Sequence, residues 1–406
     1  MRNLRPTTRT TPRPAGRLAA ALVLALPFAV AAPASAASAR AAQHHDPASD
    51  CALTGTTGWT DEGHNTDYTQ FQRPSGHIKV AMLFVDFPDA PATDETSGYY
   101  KFLAPAAQYM SDFSYGKVHL DITPINHWLR MPQDSATYGF QRGITWDQQA
   151  LYIKQAGEAA APYTDLSKFD MVYVVPTKNA SAITFSPAYL YDPAHPNLVV
   201  NGKEIKWGVT LGQDMYHWGP KVADHETGHT FGLPDLYAFS GTDIHRFVGG
   251  FDLMGNIAGD APHHFGWEDW KNGWIGDGQV SCLNSPGIMT TSLRALEIPG
   301  GKKIAVVRTG ATTAYVVESR RALGVDGAVC KPGAVVYKVD SSTPTGAGPI
   351  QVQDSSPGAP NTAACKEAVD FGALTTGQTF TDAAAGVTIK VDTSTPLGDT
   401  VTVTKA

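Results

Sequence analysis

Residues 224–237 read DHETGHTFGLPDLY. The first half of this stretch places His225 and His229 four residues apart, so on an α-helix both imidazoles leave one face and can reach a single zinc ion. Glu226 stands beside the first histidine, able to face a metal-bound water without binding the metal. Zinc lowers the pKa of such a water towards neutrality, and a carboxylate can then take its proton and deliver hydroxide to a carbonyl carbon. Two histidines leave zinc one protein ligand short of the usual three. Gly232 falls where a helix needs a left-handed C-terminal residue, and Pro234 stops the helix from resuming. The chain can thus double back and bring Asp235 to the metal as its third ligand.

Downstream, GGFDLMGN sets Met254 25 residues beyond His229, in a turn flanked by glycines. Zinc peptidases with an extended histidine motif carry a methionine turn beneath the metal, where the thioether packs under the ligating imidazoles. Met254 is therefore expected to support the site and not to ligate.

The motif sits among alternating strands and helices. HIKVAMLFVDFPDAP (residues 77–91) is a β-branched and aromatic run closed by proline, the mark of a buried strand. Pro105 suits the first turn of a helix that presents Tyr109, Met110 and Phe113. KVHLDITPI from Lys117 and DMVYVVP from Asp170 are further strands, with a helix over residues 145–160 between them. VVNGKEIKWGVTL (residues 199–211) reads as two short strands turning at Asn201-Gly202, and as the sheet edge along which a substrate would lie. From Cys282 the character changes to short segments such as KKIAVVRTG, TAYVVESR, GAVVYKVD, GVTIKVD and DTVTVTK, spaced as in an all-β sandwich. The expected fold class is an α/β (α+β) catalytic domain with a twisted mixed sheet and an active-site helix over residues 76–280, then a β-sandwich domain over 281–406.

At the other end, Arg2, Arg5, Arg9, Arg13 and Arg17 precede an apolar run from Leu18 to Ala32, and Ala34-Ser35-Ala36 offers a cleavage site. Residues 1–36 read as a secretory signal peptide and residues 37–75, polar and aperiodic, as a leader or short pro-segment. The chain is expected to be exported to the extracellular space without a membrane anchor. Of its 406 residues, 31 are Lys or Arg and 38 Asp or Glu; without the five signal-peptide arginines 26 basic residues face 38 acids, a net charge of −12 that disfavours nucleic acid as a partner. Protein or peptide substrates and a monomeric state are expected. Cys51, Cys282, Cys330 and Cys365 are an even set in an exported chain, which suits two disulfides. Three pairings are open, and position along the chain favours Cys330 with Cys365 and Cys51 with Cys282.

With these residues in view, the chain resembles the immune inhibitor A family of secreted bacterial zinc metallopeptidases, whose active-site layout is metzincin-like. HETGHTFGLPDLY matches the family's HExGHxxGxPDxY form, DLMG its methionine turn and IKVAMLFVDFPDAP its opening strand, with weaker likeness in SYGK, in WEDWKNGW and in the β-rich tail. The resemblance implies zinc bound by His225, His229 and Asp235, with Glu226 as general base and acid. It also offers Glu268 and Asp269 as alternative third ligands. The short segment before the first strand departs from the long pro-regions of larger family members.

Other residues have a functional and a plain reading. Tyr237 would donate to an oxyanion or pack beneath the site. Cys51 would cap the zinc as a thiolate or sit in a disulfide. His263 and His264 would line the cleft or lie on the surface, the second being favoured. Trp267, Trp270 and Trp274 recur as one helix face packed on the core. Asp243, Asp252, Asn256 and Asp260 would hold a structural Ca2+, although their spacing matches no fixed calcium loop. Two other functions stay open: an exported binding protein with a vestigial metal site, and a zinc hydrolase of a non-peptide amide. No nucleotide or redox cofactor is implied.

Overall fold

The structure, a computed structural model, describes residue 43, residues 45–356, residue 358 and residues 361–406. The expected signal peptide, residues 1–36, lies outside the described residues.

β1 (Gly76–Asp86) is buried on both faces from Val80 onward, as its unbroken apolar run requires. Alternate side chains feed two cores: Ala81, Leu83 and Val85 enter one, Val80, Met82 and Phe84 the other. α1 (Thr96–Leu103) and α2 (Ala106–Phe113) lie on the second core, α2 having Pro105 at its N-cap, where no amide hydrogen is needed. β2 (Val118–Arg130) mixes buried and open residues, as an edge strand does, and runs parallel to β1. α3 (Trp146–Ala160) starts at a capping box between Thr145 and Gln148 and covers the first core. β3 (Met171–Pro176) flanks β1 on its other side, also parallel.

After β4 (Ala188–Leu190), the hairpin of β5 (Val199–Val200) and β6 (Lys203–Glu204) turns at Asn201 and Gly202 with φ of 50° and 85°, the Asn-Gly turn expected. β7 (Trp207–Thr210) then enters the main sheet, whose order is β2-β1-β3-β7-β4. Four strands are parallel and β4 alone is antiparallel, at the edge. The edges of this sheet are therefore β2 and β4, and β7, the strand of residues 199–211 that joins it, lies inside. Gly208, Val209 and Thr210 are buried between β3 and β4, and the three residues of β4 are too few to show a period.

α4 (Met215–Trp218) and α5 (Lys221–Thr230) follow, then α6 (Gly266–Lys271). Trp267, Trp270 and Trp274 are all buried, but α6 ends before Trp274, at a turn where Gly273 takes φ of 71°, so the three divide between two cores. The remaining strands are β8 (Val280–Leu283), β9 (Gly287–Arg294), β10 (Ile304–Arg308), β11 (Thr313–Arg320), β12 (Gly333–Asp340), β13 (Ile350–Val352), β14 (Thr379–Asp382), β15 (Val387–Thr395) and β16 (Gly398–Lys405). They form two sheets, β13-β12-β11-β10-β8 and β14-β15-β16-β9, with a shared core that includes Met289, Val307, Val317, Val336, Ile389 and Val403. The other face of the first sheet, through Val306, Val316, Val335 and Tyr337, belongs to a core with Leu236, Met254, Phe265 and Trp267. That core crosses residue 281 without a break, so the motif region rests directly on the β-rich half. The whole is a sheet-rich α+β fold.

Residues 45–75 form no strand pairing of sheet length, in keeping with their polar composition, yet they are threaded into the fold. The disulfides are Cys51–Cys282 and Cys330–Cys365, the pairing favoured by position. A disulfide-bonded Cys51 offers no thiolate to a metal. Gln72 N donates to Thr230 O at the end of α5, and Trp267 Nε1 donates to Glu62 O. Among the described residues no helix is long and apolar enough to cross a membrane.

Candidate active site

α5 carries the histidines and ends as its sequence requires. Leu233 N donates to Gly228 O and Gly232 N to His229 O, the paired bonds of a Schellman cap, with Gly232 at φ 91°. The turn does more than stop the helix. It presents Leu233 O to His229 Nδ1 at 2.9 Å, while Leu253 O of the methionine turn meets His225 Nδ1 at 2.9 Å. With each Nδ1 hydrogen donated to a carbonyl, Nε2 is the atom each ring has left to offer a metal once any proton there is displaced, and the two face inward together.

Asp235, delivered by the same turn, meets them. Its Oδ1 lies 3.2 Å from His225 Nε2 and 3.3 Å from His229 Nε2. Neither contact has hydrogen-bond geometry, and this buried oxygen has no hydrogen-bond partner. Ligand atoms about 2.0–2.1 Å from a tetrahedral zinc stand about 3.3–3.4 Å apart, so Asp235 Oδ1 lies from each imidazole at the spacing of ligands around a common centre. Glu226 Oε1 is 4.0 Å from His225 Nε2, farther than Asp235 Oδ1, and Glu226 has an oxygen within 4.8 Å of a ligand atom of each histidine. Thr345, beyond β12, anchors the backbone of this residue: its Oγ1 accepts from Asp235 N at 2.8 Å and reaches Asp235 Oδ2 at 3.5 Å.

The electrostatics favour a cation at this point. Burial works against charge on Asp235, yet the two imidazoles outweigh it and hold its pKa far below the ordinary carboxylate range. Burial likewise opposes a proton on His229, but Asp235 and Glu226 raise it to about 9. Glu226 is pushed up to about 7 by burial, against the opposing charge of the histidines. Positive charge is thus stabilised where the donor atoms meet, and two neutral imidazoles with one carboxylate suit zinc.

Met254 is fully buried beneath the helix. A Cβ on Gly228 would stand 2.7 Å from its Sδ, so the glycine between the two histidines is what admits the thioether. The cleft above is walled by Ser186, Pro187 and Ala188 leading into β4, by Trp146 of α3, by Trp59 of the leader and by Tyr237. Arg142 Nη1 approaches Tyr237 Oη at 3.5 Å.

Glu268 and Asp269, the alternative third ligands, are not here. Glu268 bonds His264, and Asp269 accepts from Tyr115 Oη. His263 and His264 are buried rather than on the surface, because Arg320 of β11 draws both their carbonyls into the core. Of the residues considered for calcium, Asp260 pairs with Lys366, Asn256 Oδ1 accepts from Ala258 N, and Asp252 faces His264. Thr345, Trp59, Arg142 and the carbonyls of Leu233 and Leu253 have no signature in the sequence; a tryptophan within an otherwise polar leader is the nearest to one. No protein-family model matches the chain, and no curated protein matches it at a significant level.

Proposed function

We propose that the chain is an exported zinc endopeptidase, with a catalytic region of the metzincin-like kind found in the immune inhibitor A family. The observation that carries the reading is the convergence of His225 Nε2, His229 Nε2 and the unpartnered Asp235 Oδ1, with Glu226 beside them in an open cleft. A structural zinc site has no need of a buried carboxylate next to its ligands. The arginine-rich, apolar N-terminus and the two disulfides support export.

His225, His229 and Asp235 would hold the zinc, which when bound polarises the scissile carbonyl and acidifies water. Glu226 takes the proton of the attacking water and returns it to the leaving amine, a task suited to a carboxyl raised by burial to about 7. β4 is an edge strand and lines the cleft through Ala188 and Leu190, so an extended substrate chain adds to the sheet as a further strand and is held across the site. Tyr237, facing the cleft, is a donor for the oxyanion as it develops. The test is Glu226→Gln. It should keep its zinc and lose turnover by about 10²–10⁴-fold; full peptidase activity in a clean preparation of that variant would sink the proposal.

A further inference from the structure

Beneath the methionine turn lies a second group of ligand-type side chains that the proposed peptidase chemistry does not use. Asp252, at φ 71°, accepts Met254 N on one oxygen at 2.7 Å and Phe265 N on the other at 2.6 Å. His264 Nδ1 stands 3.4 Å from Asp252 Oδ1 and 3.1 Å from Glu268 Oε2. Asp252, His264 and Glu268 each place a ligand atom within 4.8 Å of the others, and all three are fully buried. Glu62 of the leader faces Glu268, carboxyl to carboxyl, and is equally buried.

Charge and hydrogen bonding do not close in this pocket. Neither carboxylate oxygen of Glu62, nor Oε1 of Glu268, accepts from an N–H or hydroxyl group, so the two carboxyls have only a proton shared between them to link them. Lys271 is near, but its Nζ is bonded to the carbonyls of Asp61 and Gly232 and forms no ion pair with Glu62. Three buried carboxylates thus meet one imidazole, an arrangement that costs several kcal/mol unless a further cation or bound protons complete it. A dication, with the Lys271 charge alongside, neutralises three carboxylates.

We propose that Glu62, Asp252, His264 and Glu268 form a second, buried divalent-metal site that is structural and ties the leader, the methionine turn and α6 together under the cleft. Its donors, three carboxylates and one imidazole, suit Zn2+ or Mn2+ better than an all-oxygen Ca2+ cage. With no open position and no solvent access, the ion would be taken up as the chain folds. Residues 45–75 then belong to the working fold and are not a segment to be shed.

The test uses the full secreted protein carrying His225→Ala and His229→Ala, with zinc, manganese and calcium per chain read by mass spectrometry after dialysis. Because that variant lacks the first site, the result does not depend on whether that site is a peptidase. About one equivalent of zinc or manganese is expected to remain, and adding Glu62→Gln should remove most of it and lower the melting temperature. A folded double variant free of transition metal overturns the proposal. So does a melting temperature that Glu62→Gln raises, because neutralising an unpaired buried carboxylate relieves strain whereas removing a ligand weakens the fold. Should the double variant not fold, wild-type protein holding about two equivalents rather than one decides the same question.

Discussion

Replacing Gly232 with alanine should damage both the fold and the metal site. At φ 91° an L side chain costs about 1–2 kcal/mol, with 91° lying beyond the left-handed region such residues prefer. The new Cβ would stand 3.1 Å from Thr66 Cγ2 and 3.5 Å from the ring of Phe71, a tight fit that the buried phenylalanine cannot easily relieve. Against this, alanine restricts the unfolded chain and recovers about 0.4–1 kcal/mol. The backbone terms leave about 0–1.6 kcal/mol, and overpacking against Thr66 and Phe71 adds about 1 kcal/mol, for a net loss of about 1–2.6 kcal/mol. A functional loss follows through Leu233 O, which holds His229 Nδ1: shifting such a partner typically weakens metal binding about 10–100-fold. Urea denaturation of the metal-free protein isolates the first effect from ligand linkage, and competition with a chromogenic chelator measures the second. A Gly232→Ala protein within about 0.5 kcal/mol of wild type and with unchanged zinc affinity would refute the Schellman turn as the device that builds the site.

Two further outcomes are expected. Converting Cys51 and Cys282 to serine opens a link between residues 231 apart and should cost about 2–5 kcal/mol in denaturant midpoint experiments, more than the 35-residue link of Cys330 and Cys365. Glu297 is raised by burial, and then by the charge of Asp326, from an ordinary 4.5 to about 8. The folded state therefore holds its proton more tightly, and stability falls as pH rises through that window; Glu297→Gln should be near neutral below pH 4.5 and stabilise by about 1–3 kcal/mol at pH 8, and a pH-independent difference in unfolding free energy would contradict the assignment.

What the sequence disclosed, and what it withheld, follow from the range over which each signal acts. His225, His229 and Asp235 were legible because helix period, a glycine needing positive φ and a proline are local constraints, and they place three side chains with no knowledge of the rest of the chain. β1 was legible because a strand buried on both faces must be apolar throughout. The sheet edge was not: residues 199–211 show clear strand chemistry, but which strand is last in a sheet depends on pairing partners, and β4 has only three residues. Nor did anything local announce that Glu62, His263 and His264 are buried. Polar residues read as solvated until the groups that enclose them, here α6 and the sheet bearing Arg320, are brought up from 205 and 57 residues away. Thr345 is the same case, reaching Asp235 across 110 positions.

The most direct measurement is hydrolysis of a denatured protein such as casein by the secreted chain, before and after removal of metal with a chelator and again after zinc is restored. A zinc peptidase built on His225, His229 and Asp235 should cleave, stop when stripped, and recover with zinc. Cleavage that persists in the metal-free protein, or none from folded chain with zinc bound at these residues, would contradict it.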